Sequence, residues 1–254
     1  MEGSAAGPSV EDLEHSRYFL TEWMPPLLRD LAEQSPPRLL ADLGAGDGGT
    51  IFPLERAGLI GETIYAVDIS PMHVALCERL SPKVKGIVSD VARVDELPDA
   101  SVDAVISSQV IEHLPDDRVL APEIARLLKP GGWFYVSSVI RGPHGFWIYR
   151  GKPPAPRRWQ LDPTHMREYE SEDQFRLALE HPALEFELVR SSQLKFPLTD
   201  FVLRAAAVAR VLRNDQLPEL YQRGPRWLAP ARRAIGVPIP GYRWVEATGR
   251  KRAS

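Results

Sequence analysis

The stretch Ala41–Thr50, ADLGAGDGGT, sets four glycines and two aspartates in ten residues. Glycine loses the most freedom on folding, so four together imply a backbone that turns tightly or lies against a ligand. Gly44, Gly46 and Gly49 fit the pattern G-x-G-x-x-G. Asp68 stands roughly 20 residues on, where a nucleotide loop places an acid for the ribose. Asp42 and Asp47 argue against a pyrophosphate, which would face two carboxylates instead of a clean positive helix end. A ligand with an amino group and a fixed positive charge suits such a loop better. Other residues capable of chemistry follow: Asp90 and Val91 in VSDVARVDE, Ser107 to His113 in SSQVIEH, and His165, Arg167 and Tyr169 in LDPTHMREY.

Short apolar strands and amphipathic helices must carry these residues. RLLADLG reads as a strand entering the glycine loop, and IFPLERAGL as a helix ending at Gly58 in a left-handed cap. ETIYAVDIS is a second strand, and Pro71 opens a helix through MHVALCERL. VKGIVSD and SVDAVISSQ read as the third and fourth strands. PDDRVLAPEIARLL is helical, with Asp116 and Asp117 at its positive end. KPGG then turns the chain into a fifth strand, WFYVSSVI. Strand–helix alternation at this spacing predicts βαβ units and a parallel sheet. Ligands on such sheets bind at the carboxyl ends of the strands, and the glycine loop, Asp68, Asp90 and Ser107–Gln109 all fall there. Upstream, Leu13 to Leu31 recur at steps of three and four, which predicts helices over Glu11–Glu33 interrupted near Pro25 and Pro26. Downstream of Ile140 a long loop rich in proline, arginine and aromatics runs to His165. A capped helix (SEDQFRLALEH), a strand (LEFELVRSSQL), an amphipathic helix (TDFVLRAAAVARVLR) and a last strand (YRWVEATGR) follow.

From about Arg38 to Val139 these motifs, in this order, resemble the class I S-adenosylmethionine-dependent methyltransferases, in their small-molecule branch. LLADLGAGDGG resembles the cofactor loop, AVDIS the strand ending in the ribose acid, and VSDVARVDELPDASVDAVISSQVIEHLPD the third and fourth strands. IARLLKPGGWFYVSSV resembles the approach to the fifth. The resemblance implies one Rossmann-like α/β domain with a seven-stranded mixed sheet, helices on both faces and the last strand antiparallel. Residues 1–35 would form an N-terminal helical cap and 36–141 the cofactor core. Residues 142–254 would hold the substrate lid, a helical insertion between the last two strands, and the final strands.

The resemblance also implies S-adenosylmethionine as cofactor and methyl transfer to a small acceptor, at oxygen. By position, Gly44 and Gly46 would let the backbone approach its methionine end, with Asp42 helping to hold that end. Asp68 would accept both ribose hydroxyls, and Ile69 would pack on adenine. Asp90 would take the adenine amino group beside Val91, and Ser107, Ser108 or Gln109 would touch the methionine moiety. His165 is the favoured catalytic base, with His113 the other candidate, and Arg167 and Tyr169 would hold the acceptor. Asp162 and Thr164 offer local turn bonds that would make His165 a loop anchor instead. Ubiquinone-type relatives carry E-x-x-E-H for a divalent metal. Gln109 replaces the first glutamate, a neutral amide is a poorer ligand for a hard cation, and no metal is expected.

Composition bounds the alternatives. The chain of 254 residues is 44% hydrophobic and 26% charged, with net charge −3. Residues 1–140 carry 11 Lys/Arg against 22 Asp/Glu, and residues 141–254 carry 20 against 12. An acidic first part and a basic second part suggest two roles, with an acidic, aromatic or lipid-like acceptor at the second. Trp147, Arg150, Arg157, Arg158 and Trp159 are too scattered to signal nucleic acid. No N-P-P-Y type motif for methylating base amino groups occurs. A nucleic-acid or protein methyltransferase, a nicotinamide-dependent oxidoreductase and a non-catalytic cofactor-binding subunit remain the competitors. Cys77, the single cysteine, excludes an internal disulfide and reads as a buried thiol. The opening residues lack the basic end and apolar run of a signal peptide, and no stretch of about 18 apolar residues occurs, so a cytoplasmic location is expected.

Overall fold

The computed structural model describes residues 23–145, 149–150, 159–162, 164–199 and 236–253, with isolated residues between 202 and 234. Helix α1 (Pro26–Gln34) has proline at its first turn. Pro25 and Pro26 stand at the start of this helix, where the sequence reading set the break, and a proline at this position gives up an N–H that has no helical partner anyway. The helical stretch expected upstream lies outside the described residues.

The central sheet is built from β1 (Leu39–Leu43), β2 (Thr63–Asp68), β3 (Val84–Val88), β4 (Val102–Ser108), β5 (Leu128–Arg141), β8 (Leu184–Pro197) and β9 (Gly236–Lys251), in the order β3-β2-β1-β4-β5-β9-β8. The first five pair in parallel, while β9 runs antiparallel to both β5 and β8. Two-residue strands β6 (Tyr149–Arg150) and β7 (Trp159–Gln160) pair separately. Strand order reverses between β1 and β4, the switch point where ligands of such sheets bind.

Helices α1, α2 (Ile51–Arg56) and α3 (Pro71–Glu78) contribute Leu28, Leu54 and Cys77 to the core on one face, with Ile64 and Tyr135. Helices α4 (Leu120–Leu127) and α5 (Glu172–Ala178) contribute Ile124 and Phe175 to the core on the other, with Val105 and Val136. Residues 133–140 of β5 are buried without interruption, as a strand covered on both faces must be. The KPGG segment expected as a turn lies within β5, whose pairing with β4 shifts register between Val102 and Ala104. Of the expected helix after Thr199 most residues lie outside the description, as do Trp147, Arg157 and Arg158. Cys77 is buried as expected, its Sγ 3.3 Å from the Gly46 carbonyl, and burial pushes the thiol pKa up.

One polar clamp ties α4 to the loop carrying Asp90. Glu123 is 2% exposed and accepts from the Val94 amide at 2.8 Å. Arg126 grips both Glu123 oxygens, at 2.8 and 2.6 Å, and donates to the carbonyls of Leu97 and Val94. Removing one partner of a buried ion pair strands the other charge, at about 3–5 kcal/mol. Arg126→Ala should therefore lower the melting temperature by about 10 °C. A melting curve within a degree of the wild type would show the clamp to be inert.

Candidate cofactor and acceptor site

The glycine loop leaves β1 and folds onto the end of β2. The amides of Gly44 and Ala45 both donate to the Val67 carbonyl, at 2.8 and 2.9 Å. That of Gly46 donates to Asp68 Oδ2 at 2.9 Å. Three N–H groups that a phosphate loop would offer to its ligand are spent on the protein. Gly44 and Gly46 have φ of +79° and +54°, in the left-handed region. A Cβ on Gly44 would lie 2.3 Å from Val110 Cγ2, so this glycine also seats the loop after β4. A Cβ on Gly46 would meet nothing within 4 Å, which leaves open space over the loop.

Asp42, at 1% exposed, has neither carboxylate oxygen hydrogen-bonded among the described residues. Burial, with Asp68 adding repulsion, pushes its pKa up to about 7. A bare buried carboxylate is costly unless a cation or donor joins it. Burial also raises the pKa of Asp47. Asp68 accepts from Gly46 N, from Ser70 N at 2.9 Å and from His73 Nδ1 at 3.2 Å. It closes the loop as well as lining it, a role the sequence reading did not foresee. Ile69 is 73% and Val88 49% exposed at the ends of β2 and β3, an apolar pair facing solvent. Asp90 is exposed and caps its own turn through the Ala92 amide at 2.8 Å, while Val91 is buried.

At the end of β4 the three candidates separate. Ser107 is fully buried and donates to the Leu43 carbonyl at 2.9 Å, which makes it a tie between β4 and β1. Ser108 Oγ shares a 2.8 Å hydrogen bond with Ser137 Oγ. Gln109 has a φ of +59°, unusual for a residue with a Cβ, and its buried Nε2 has no partner among the described residues.

Glu112 and His113 follow in a 3-10 turn, Ile111–His113. The Glu112 carbonyl accepts from the amides of Met166 and Arg167, which pins the His165 segment across from it. Its carboxylate is buried; Oε2 accepts from Ser138 at 2.9 Å, Oε1 has no partner among the described residues, and burial pushes its pKa up to about 7. The His113 and His165 rings meet edge to face at 4.9 Å. Burial, then the neighbouring His165, lowers the His113 pKa. Glu112, His113 and His165 each bring one ligand-capable atom within 4.8 Å of the others, a set able to hold a metal ion. The sequence reading took Glu112 and His113 as an incomplete set; the fold adds His165 as a third member.

Arg167 and Tyr169 are corrected. Arg167 donates to the carbonyls of Ile111, Leu114 and Pro115 and pairs with Asp117 at 3.4 Å. Tyr169, 4% exposed, donates to Asp117 at 3.0 Å and packs on Phe175. Both brace the 111–117 segment and neither is available to an acceptor. Glu168, the residue between them, was missed. It is buried and faces His165 Nδ1 at 3.1 Å. It also accepts from Leu161 N at 2.5 Å and Tyr242 Oη at 3.5 Å, with Arg141 Nη1 at 3.7 Å. Its only sequence signal was an acid three residues after a histidine. Thr164 N donates to Asp162 at 2.8 Å, the local turn bond the sequence allowed.

Residues 41–136 match the family described as Methyltransferase domain. A probable S-adenosylmethionine-dependent methyltransferase of Mycobacterium tuberculosis is 31% identical over 133 residues, 52% of this chain and 47% of that protein. A ubiquinone biosynthesis O-methyltransferase of Paracidovorax citrulli is 32% identical over 43% of this chain and 47% of that protein. The chain thus spans about half the length of the curated relatives it matches. Among solved structures, the [4+2]-cyclase SpnF superposes with a TM-score of 0.58 at 19% identity, covering 95% of this chain and 89% of that one. The likeness is one of fold.

Proposed function

From the premise that residues 41–136 form a methyltransferase domain, we propose that the protein transfers the methyl group of S-adenosylmethionine to a hydroxyl of a small organic acceptor. The observation that carries this reading is Asp42: a buried carboxylate with no partner among the described residues, set against a second acid and under an open glycine loop. It suits a cationic ligand and opposes a phosphate. The amino and sulfonium charges of S-adenosylmethionine fit it.

In this reading Ile69 packs on the adenine, with the exposed Asp90 carboxylate for its amino group and Val91 beneath. A carboxylate offers about four acceptor sites. Three N–H groups use Asp68 already, so the ribose diol displaces the half-exposed His73 ring. Gln109, strained and with an unpaired amide, and Ser108 face the methionine end. Transfer is a displacement in which the acceptor oxygen bonds to the methyl carbon as the carbon–sulfur bond breaks. The bonding pair stays on sulfur as a neutral thioether, S-adenosylhomocysteine. Such a good leaving group needs little acid catalysis, and alignment supplies much of the rate. The hydroxyl proton goes to the acceptor side, where His113 and His165 stand.

Titration with S-adenosylhomocysteine and NAD, followed by an acceptor panel of phenols, hydroquinones and hydroxy acids assayed for S-adenosylhomocysteine release, tests the reading. Tight NAD binding with none for S-adenosylhomocysteine would overturn it. Cofactor binding without release from any acceptor would favour the non-catalytic subunit. Asp68→Ala should weaken S-adenosylhomocysteine binding at least tenfold, since two charge-assisted hydrogen bonds contribute about 1.5–3 kcal/mol each. An unchanged dissociation constant in a folded variant would remove Asp68 from the site.

A further inference from the structure

We infer that Glu112, His113 and His165 form a binding site for one divalent first-row transition-metal ion of the zinc or manganese class. The three donors come from the 3-10 turn after β4 and from a loop some fifty residues later, and their ligand atoms lie within 4.8 Å of one another. A second, independent observation is Glu112 Oε1, which is buried and has no hydrogen-bond partner among the described residues. A buried carboxylate oxygen without a donor is the atom a cation would satisfy.

The surroundings of both imidazoles match what metal-bound histidines require, a group that holds the far ring nitrogen and sets the tautomer. His165 Nδ1 lies 3.1 Å from Glu168 Oε1. With Nδ1–H donating to this carboxylate, Nε2 keeps the lone pair. Glu168 is in turn held by Leu161 N, Tyr242 Oη and Arg141. Thr164 donates its hydroxyl hydrogen to Asp162, and its oxygen stands 3.1 Å from His113 Nδ1. That oxygen is left to accept, and it sets the same tautomer on His113.

Two imidazoles and one carboxylate suit zinc or manganese, whereas magnesium prefers oxygen ligands and keeps its waters. The set is not E-x-x-E-H, because Gln109 stands at the first acid and the third donor comes from another segment. Three protein ligands leave a position open, where the ion would supply Lewis acidity toward an acceptor oxygen. That role rests on the methyl-transfer reading; ion binding does not. With an ion bound, His165 would act as a ligand in place of the base, and the hydroxyl proton would pass to solvent instead of to the histidine side.

Tag-free protein stripped with a chelator and dialysed would be titrated separately with zinc, manganese and magnesium chlorides. Metal content would be read by mass spectrometry after gel filtration. We expect about one equivalent of zinc or manganese retained per chain and no magnesium. His113→Ala and Glu112→Gln should each weaken binding at least tenfold while S-adenosylhomocysteine affinity stays at the wild-type value, showing that the fold survives. Wild-type protein that retains neither zinc nor manganese would overturn the proposal. Retention undiminished in both variants would also overturn it. Failure of the methyl-transfer reading would show separately, as absent S-adenosylhomocysteine binding in the wild type.

Discussion

Asp42→Asn should make the ligand-free protein more stable at pH 8 and at the same time abolish tight cofactor binding. The Asp42 carboxylate is buried without a partner among the described residues, and its pKa is pushed up to about 7. Its ionisation therefore opposes folding. The penalty is absent below the unfolded pKa, near 4, grows as pH rises, and is complete above the folded value, where it amounts to about 4 kcal/mol. An amide has the same shape and no charge to desolvate, but its own unpaired N–H group takes back about 1–3 kcal/mol. A net gain of about 1–3 kcal/mol at pH 8 raises the melting temperature by several degrees. The gap between variant and wild type should close as pH falls to 5. Glu112 contributes a slope of the same sign in both proteins, so the comparison isolates Asp42. Affinity moves the other way: truncating one partner of a buried charge pair costs about 2–5 kcal/mol, at least 30-fold in the S-adenosylhomocysteine dissociation constant. A variant that binds as tightly as wild type, or that is less stable at pH 8 than wild type, would remove Asp42 from the role given it.

His165→Ala should lower kcat by about 10²–10⁴ with cofactor affinity nearly unchanged. His165 is 5% exposed and held by Glu168 and by the backbone bonds between Glu112 and residues 166–167. None of these ties reaches Asp42, Asp68 or the glycine loop. The loss is expected whether the imidazole takes the proton or ligates an ion, because both handle the same hydroxyl. Metal content separates the two: a base leaves it unchanged, a ligand takes it away. A raised acceptor KM with kcat intact would make His165 a positioning residue. Full activity would leave it as the anchor that Asp162 and Thr164 allow.

Much of the frame that carries the proposed cofactor side was legible in the chain itself. Strand ends, glycines and acids at Asp42, Asp68 and Asp90 are set by short-range rules: period two or 3.6 in the apolar residues, proline at helix starts, glycine at positive φ. β1 to β5 and their helices came out at or near their expected places for that reason. Boundaries slipped where pairing overrode local signals, as when the KPGG turn was drawn into β5. The acceptor side was legible only as residue types. Arg167 and Tyr169 had the right chemistry for an acceptor, but their direction follows from carbonyls at 111, 114 and 115 and from Asp117, far away in sequence. Glu168 gave no sign of its worth until Tyr242 and Arg141 were seen to enclose it. Glu112, His113 and His165 meet because two backbone amides, of Met166 and Arg167, bond to one carbonyl. Chain periodicity reports which face a residue takes within its own element. Which distant donor it meets there is decided by register and packing between elements, and only the tertiary structure holds that.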